Sequence, residues 1–273
     1  MKNIGKYLLA TTVLIGLAAC QTTSSSTMSI AQGVATTPSQ TKAISLEVDI
    51  KQNDDGGLTA IIDGKTYEFS KADLDAERTR PRYDKDLTDG SHLTVRRQGA
   101  GTSEHSELWR VQLRNDEAKT ADLYFLAIGE KTEKPPTTGT ASYRGGLELL
   151  LRDKAGDSDV FKYVYSDLDL DVDFATGTLS GQTSEHELYA NGIEDSVEFN
   201  GAVVVSNGKI TGNQITADLK SDAEFDSNMG LATSVTGTLD GNFFGYYGSE
   251  IKGTGILSND LMIGTVGFGV DSN

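Results

Sequence analysis

Three histidines and ten tyrosines are the side chains of this 273-residue chain best suited to hold a haem or a metal. Two of the histidines close the same tetrapeptide, Thr102-Ser-Glu-His105 and Thr183-Ser-Glu-His186. An exposed imidazole at a strand end can ligate haem iron or a divalent cation. Two such histidines make a site only if they converge; apart, they are polar loop residues. The HExxH zinc spacing is absent, because His186-Glu187 runs on into Leu188, Tyr189 and Ala190. Tyr246 and Tyr247 follow Phe243 and Phe244 in an aromatic cluster that suits a haem pocket, tyrosine being an axial ligand, but that suits ordinary core or rim packing better, because one side of that strand must pack the barrel. His105, His186, Tyr246 and Tyr247 are thus the candidate ligand-binding residues, haem is the candidate cofactor, and no dedicated metal site is expected.

Asp167, Asp169, Asp171 and Asp173 form a carboxylate row. An EF-hand wraps one ion by placing Gly at its sixth position and Glu at its twelfth. Here the sixth position is Val172, and interleaving with Leu168, Leu170 and Val172 spreads the carboxylates along an extended strand, roughly 7 Å apart. The row reads as a solvated outer face or as a docking stripe for a cationic partner. A G-x-S-x-G elbow, a Walker loop and recognisable triad spacing are all missing from the sequence, so binding rather than catalysis is expected.

The single cysteine, Cys20, ends a segment with Lys2 and Lys6 ahead of an apolar, Pro-free run from Tyr7 to Ala19. That run is too short to span a bilayer as a mature helix and has the layout of a secretory signal. Leu17-Ala18-Ala19-Cys20 resembles the bacterial lipobox, in which the thiol is acylated and the signal is cut just before it. Residues 1–19 are therefore expected as a lipoprotein signal peptide, and Cys20 as the lipid attachment site. Several acyl chains make attachment effectively permanent. Gln21 rather than Asp follows the cysteine, which by resemblance to Gram-negative lipoproteins favours the outer membrane.

Without residues 1–20 the chain has 22 basic and 40 acidic residues, a net charge of −18. Such a chain repels phosphate backbones and anionic headgroups, which excludes nucleic acid as a natural partner. Residues 20–42 read as the lipidated cysteine and a flexible, Ser/Thr-rich tether reaching on the order of 25 Å.

Strand signals begin after it. Ile44, Leu46, Val48 and Ile50 alternate with polar residues. Asp63-Gly64 is a hairpin signal, because both central residues of such a turn take positive φ. Further runs lie at Leu93–Arg97, Leu108–Leu113 and Asp122–Ile128, whereas Glu77–Gly90 is too polar for a core. Residues 43–134 are expected as a small β-rich domain. Beyond Pro135-Pro136 the sequence is free of proline to Asn273, as consecutive sheet strands require. Eight candidates lie near 139–151, 160–174, 178–189, 198–206, 209–219, 231–243, 251–258 and 261–270, with turn chemistry at Thr176-Gly177, Asn207-Gly208 and Asn259-Asp260. Residues 135–273 are therefore expected as an eight-stranded antiparallel up-and-down β-barrel, in which closure removes exposed edges. A β-sandwich is the alternative. The charged outer positions argue against a barrel that itself spans a membrane.

Five segments stand out in the C-terminal half: Pro136-Thr-Thr-Gly-Thr-Ala-Ser-Tyr-Arg-Gly145, Val172-Asp-Phe-Ala-Thr-Gly-Thr-Leu-Ser-Gly181, Ile210-Thr-Gly-Asn213, Val235-Thr-Gly-Thr-Leu-Asp-Gly-Asn-Phe-Phe-Gly-Tyr-Tyr-Gly248 and the Gly264–Gly269 closing strand. In this order and spacing they resemble the β-barrel domain of transferrin-binding protein B and its relatives. It implies an all-β lipoprotein with a smaller N-terminal handle-like domain, displayed on the outer membrane and binding through barrel loops. Nutrient capture of haem or an iron carrier is the leading function so implied, with a TonB-dependent receptor or a surface translocator as cellular partner. A host-protein-binding adhesion or immune-evasion protein, or a structural envelope lipoprotein, are the alternatives. One departure stands out: Ser249 leads straight from Gly248 into Glu250-Ile251-Lys252-Gly253, where the family carries a longer loop.

Overall fold

The computed structural model describes residues 29–99, 104–155, 162–190 and 196–273. The signal segment and Cys20 lie outside the described residues. The chain is all-β, built as two antiparallel sheets packed against each other.

The first sheet holds β1 (Ser29–Thr37), β2 (Gln40–Gln52), β3 (Leu58–Ile62), β4 (Lys65–Phe69), β5 (Arg82–Asp86), β6 (His92–Arg97), β7 (Ser106–Asn115) and β8 (Thr120–Gly129), in the order β4-β3-β2-β1-β8-β7-β6-β5. The sheet curls until its two edge strands meet, where the Phe69 and Tyr83 rings lie edge to face at 5.9 Å. Alternate residues of each strand, Val48, Val95, Trp109 and Tyr124 among them, fill the enclosed core. Asp63 and Gly64 take φ of 47° and 74° between β3 and β4, as the hairpin signal requires.

Two expectations change here. The tether expected over 20–42 gives way to strand from Ser29, and β1 is a central strand, bonded to both β2 and β8. Its composition is polar, but Ala31 and Val34 land on opposite buried faces, so pairing and burial override the low-complexity signal. The polar stretch 77–90 likewise holds edge strand β5, which needs only Tyr83 to reach the core.

The second sheet comprises β9 (Thr140–Asp153), β10 (Lys162–Asp173), β11 (Thr178–Ala190), a short side strand β12 (Val197–Phe199), β13 (Val203–Thr211), β14 (Gln214–Ser221), β15 (Thr236–Phe244), β16 (Glu250–Ser258) and β17 (Met262–Ser272). Leaving β12 aside, each strand pairs with its neighbours in turn, and the β17–β9 ladder closes an eight-stranded up-and-down barrel. Leu168, Leu170, Val172 and Phe174 point inward with Phe243 and Phe268, so side chains fill the interior.

Asn207-Gly208 does not make the expected turn. Asn207 takes a φ of 52° inside β13, where the register against β14 shifts between Ser206 and Lys209, and the chain reverses instead at Gly212-Asn213. Asn tolerates the left-handed conformation in a bulge as well as in a hairpin, so the Asn-Gly signal fits both. The strand expected from residue 231 begins at Thr236. A short helix, α1 (Ala223–Met229), precedes it, capped by the Asp222 carboxylate accepting the Phe225 N–H, and plugs the barrel with Phe225 and Met229.

The first sheet covers one side of the barrel. Val34, Leu108, Leu123 and Phe125 of β1, β7 and β8 pack on Leu150 and Ile263 of β9 and β17. Polar contacts surround this patch: Gln32 Nε2 donates to Asp240 at 2.7 Å, and the Thr265 hydroxyl donates to the Gln32 carbonyl at 2.9 Å. Glu148, Arg152 and Lys252 are buried in the same seam. Burial pushes the Glu148 carboxyl up, against the opposing pull of Arg110 and Arg96.

Candidate functional site

Two buried phenylalanines lead into two exposed tyrosines. At the end of β15, Phe243 enters the barrel core and Phe244 turns outward, where it too is buried. A strand continuing this alternation would hide the next ring as well, but Gly245 breaks it at φ 71° and ψ −169°. Tyr246 and Tyr247 then stand 78% and 82% exposed. Tyr247 adopts φ 54° and ψ 24°, a left-handed conformation that costs a side-chain-bearing residue about 1–2 kcal/mol. A strained, exposed aromatic is held in place only where its surroundings over-determine it.

Those surroundings are specific. The Tyr143 hydroxyl donates to the Gly248 carbonyl at 2.7 Å, and burial pushes that phenol up to about 12, keeping it a donor. The Thr132 hydroxyl donates to the Gly245 carbonyl at 2.7 Å. The Gly245 N–H donates to Glu130 O at 3.1 Å, and the Thr132 N–H to Phe243 O at 3.0 Å. The Asn213 amide reaches the Thr132 carbonyl. The chain that joins the two sheets is thereby stitched to the turn.

The first sheet contributes His105. Its ring meets Tyr246 edge to face, with centroids 5.1 Å apart and planes at 84°. The imidazole also fills the space beside Gly245, where a Cβ would sit 2.4 Å from His105 Cδ2. Glu250, the first residue of β16, fixes the histidine's backbone: one carboxylate oxygen accepts the N–H groups of Glu104 at 2.9 Å and His105 at 3.0 Å, and the other accepts the Ser106 hydroxyl. His105, Tyr246 and Tyr247 thus share one rigid surface at the junction of the two sheets.

His186 is elsewhere. It is fully buried where β11, β12 and α1 meet, stacked on Phe199 and edge-on to Phe225. Since a carbonyl can only accept, Nε2 donates to Gly201 O at 2.9 Å, and Nδ1 accepts the Ser166 hydroxyl at 2.6 Å. Burial lowers its pKa and keeps it neutral. The two Thr-Ser-Glu-His tetrapeptides therefore do not converge on one site: Thr102 and Ser103 lie outside the described residues, and Thr183 accepts the Val203 N–H inside the barrel wall.

Haem requires a concave apolar pocket with an axial ligand. Tyr246 and Tyr247 stand exposed on a turn, and His186 has both ring nitrogens engaged, so these residues do not fit one. Among the described residues no group of three or more His, Cys, Asp or Glu side chains is placed to hold a metal ion. The carboxylate row faces outward as an extended face, with Asp169 paired to Arg144 at 2.6 Å and Asp171 accepting the Ser142 hydroxyl. Beside it lies an open groove of about 590 Å³ lined by Ser142, Asp171, Asp173, Thr178, Ser180 and Asn207.

Sequence reasoning did not single out Glu250, Thr132 or Glu104. The one signal for Glu250 was its place in the family-like Glu250-Ile-Lys-Gly253 segment.

Residues 135–269 match the family model described as C-lobe and N-lobe β barrels of transferrin-binding protein B. Among solved structures, a transferrin-binding protein B variant from Haemophilus parasuis is similar over 89% of this chain and 45% of its own, with a TM-score of 0.54 and 18% identity. Intact Ap transferrin-binding protein B, comprising N and C lobes, gives a TM-score of 0.53 at 18% identity over 89% and 46%. The Neisseria meningitidis protein gives 0.51 at 16% identity over 89% and 43%. At these identities the likeness is one of fold, and the chain spans less than half the length of those proteins. No curated protein matches the sequence.

Proposed function

Residues 135–269 being a β barrel of the transferrin-binding protein B family, we propose that this chain is a lipid-anchored outer-membrane protein that captures an iron-carrying protein. Acylation at Cys20 would hold it to the outer leaflet, with display at the cell surface, in partnership with a TonB-dependent receptor or a surface translocator. The observation that carries the reading is the Tyr246–Tyr247 turn. Paired, nearly fully exposed aromatics on a stitched scaffold are the usual anchors of protein interfaces. Their exposure favours a macromolecule over haem, which would need enclosure. A binding role also agrees with the absence of catalytic spacing in the sequence.

The test is capture on intact lipidated protein. Iron-loaded transferrin, iron-loaded lactoferrin and haem are presented to outer-membrane vesicles carrying the full chain. Saturable retention of a protein carrier, lost in a Tyr246→Ala/Tyr247→Ala double variant, supports the proposal. A stoichiometric Soret shift with haem, unaffected by the double variant, would replace it with haem capture elsewhere on the molecule.

A further inference from the structure

We propose that the aromatic turn receives the cationic side chains of a basic segment on the partner protein; this rests on the functional reading above and narrows it to a chemistry. Both tyrosines are largely exposed, although the His105 ring meets Tyr246, and a phenol face carries the negative end of a quadrupole that attracts guanidinium and ammonium groups. Two acidic residues lie on the backbone beside the turn. Glu104 precedes the histidine that packs on Tyr246, and its N–H is held by Glu250. Glu130 receives the Gly245 N–H on its carbonyl and gives its own N–H to His105 O. Both side chains are exposed, and among the described residues neither is ion-paired. Lys131 lies in the same stretch, bridged through its backbone to Phe244. The whole chain carries a net charge of −16 and would steer a basic partner toward it. The same charge disfavours an anionic lipid surface or a nucleic acid. An exposed ring face needs no enclosing pocket to attract a cation.

The experiment uses the full chain with ring-labelled tyrosines, titrated with an acetylated, amidated tri-arginine peptide and with its neutral tri-citrulline counterpart. Single Tyr246→Leu and Tyr247→Leu variants assign the two signals. Both are expected to shift with tri-arginine and not with tri-citrulline. Glu104→Gln with Glu130→Gln is expected to weaken the response roughly threefold, and raising salt to shrink it, since exposed charges are screened. Equal shifts with both peptides, or none with tri-arginine, overturn the inference. Carrier capture without an arginine response would leave the functional reading standing and remove this one. An arginine response without carrier capture would do the reverse.

Discussion

The carboxylate of Glu250 accepts the backbone N–H of His105 at 3.0 Å, across the boundary between the two sheets. The same oxygen holds Glu104, and its companion holds Ser106. One buried acid from the barrel therefore positions the histidine that packs against Tyr246. Replacing Glu250 by Ala leaves two backbone donors without their acceptor, a loss of about 1–3 kcal/mol. Urea unfolding should show that loss, and the Tyr246 ring signal should move with it. If Glu250→Ala leaves both stability and the ring signal unchanged, this positioning role is wrong.

Tyr247→Gly should leave the fold as stable as before or more so. The left-handed backbone costs a tyrosine about 1–2 kcal/mol, and glycine's greater unfolded-state freedom returns roughly 0.5–1 of the gain. Thermal unfolding should place the variant between no change and about 1.5 kcal/mol more stable, while carrier capture falls. A marked destabilisation would mean that the Tyr247 ring supports the fold rather than a partner.

Gly245→Ala should be costly. Its φ of 71° with ψ −169° is open essentially to glycine, and the new Cβ would collide with the His105 ring. The expected loss is about 1–3 kcal/mol by chemical denaturation, with displacement of His105 from Tyr246.

His186 predicts a pH dependence at the other end of the barrel. Burial lowers its folded pKa below the unfolded value of about 6.5, despite the opposing effects of the Gly201 carbonyl and Asp222. The unfolded chain then binds more protons than the folded chain below pH 6.5. Stability from this group is complete above that value and is lost as pH falls toward the folded pKa, at no more than about 1.4 kcal/mol per pH unit. His186→Gln can still accept from Ser166 and donate to Gly201 but cannot titrate. The stability difference between parent and variant should therefore slope below pH 6.5 and be flat above it.

Much of the fold could be read from periodicity. The inward row Leu168, Leu170, Val172 and Phe174, the Asp63-Gly64 turn and the closed barrel all follow from period-2 patterning with turn residues between strands. Where reading failed, local chemistry served two structures. Asn207-Gly208 suits a bulge as readily as a hairpin, and the polar residues around Ala31 and Val34 hid a strand buried on both faces. The site was legible only in part. Tyr246, Tyr247 and His105 were all visible as candidates, but their convergence depends on how one sheet lies across the other, with 141 positions separating His105 from Tyr246. His186, from an identical tetrapeptide, landed in the core because its strand faces inward at that position. No single-sequence feature separates the two.

The most direct test maps where a captured carrier touches the chain. Hydrogen–deuterium exchange on the full protein, with and without iron-loaded carrier, should show protection concentrated at residues 104–106, 129–132 and 244–250. Protection confined to the opposite end, around residues 197–202 and 223–230, with the Tyr246–Tyr247 turn exchanging as freely as before, would contradict the account.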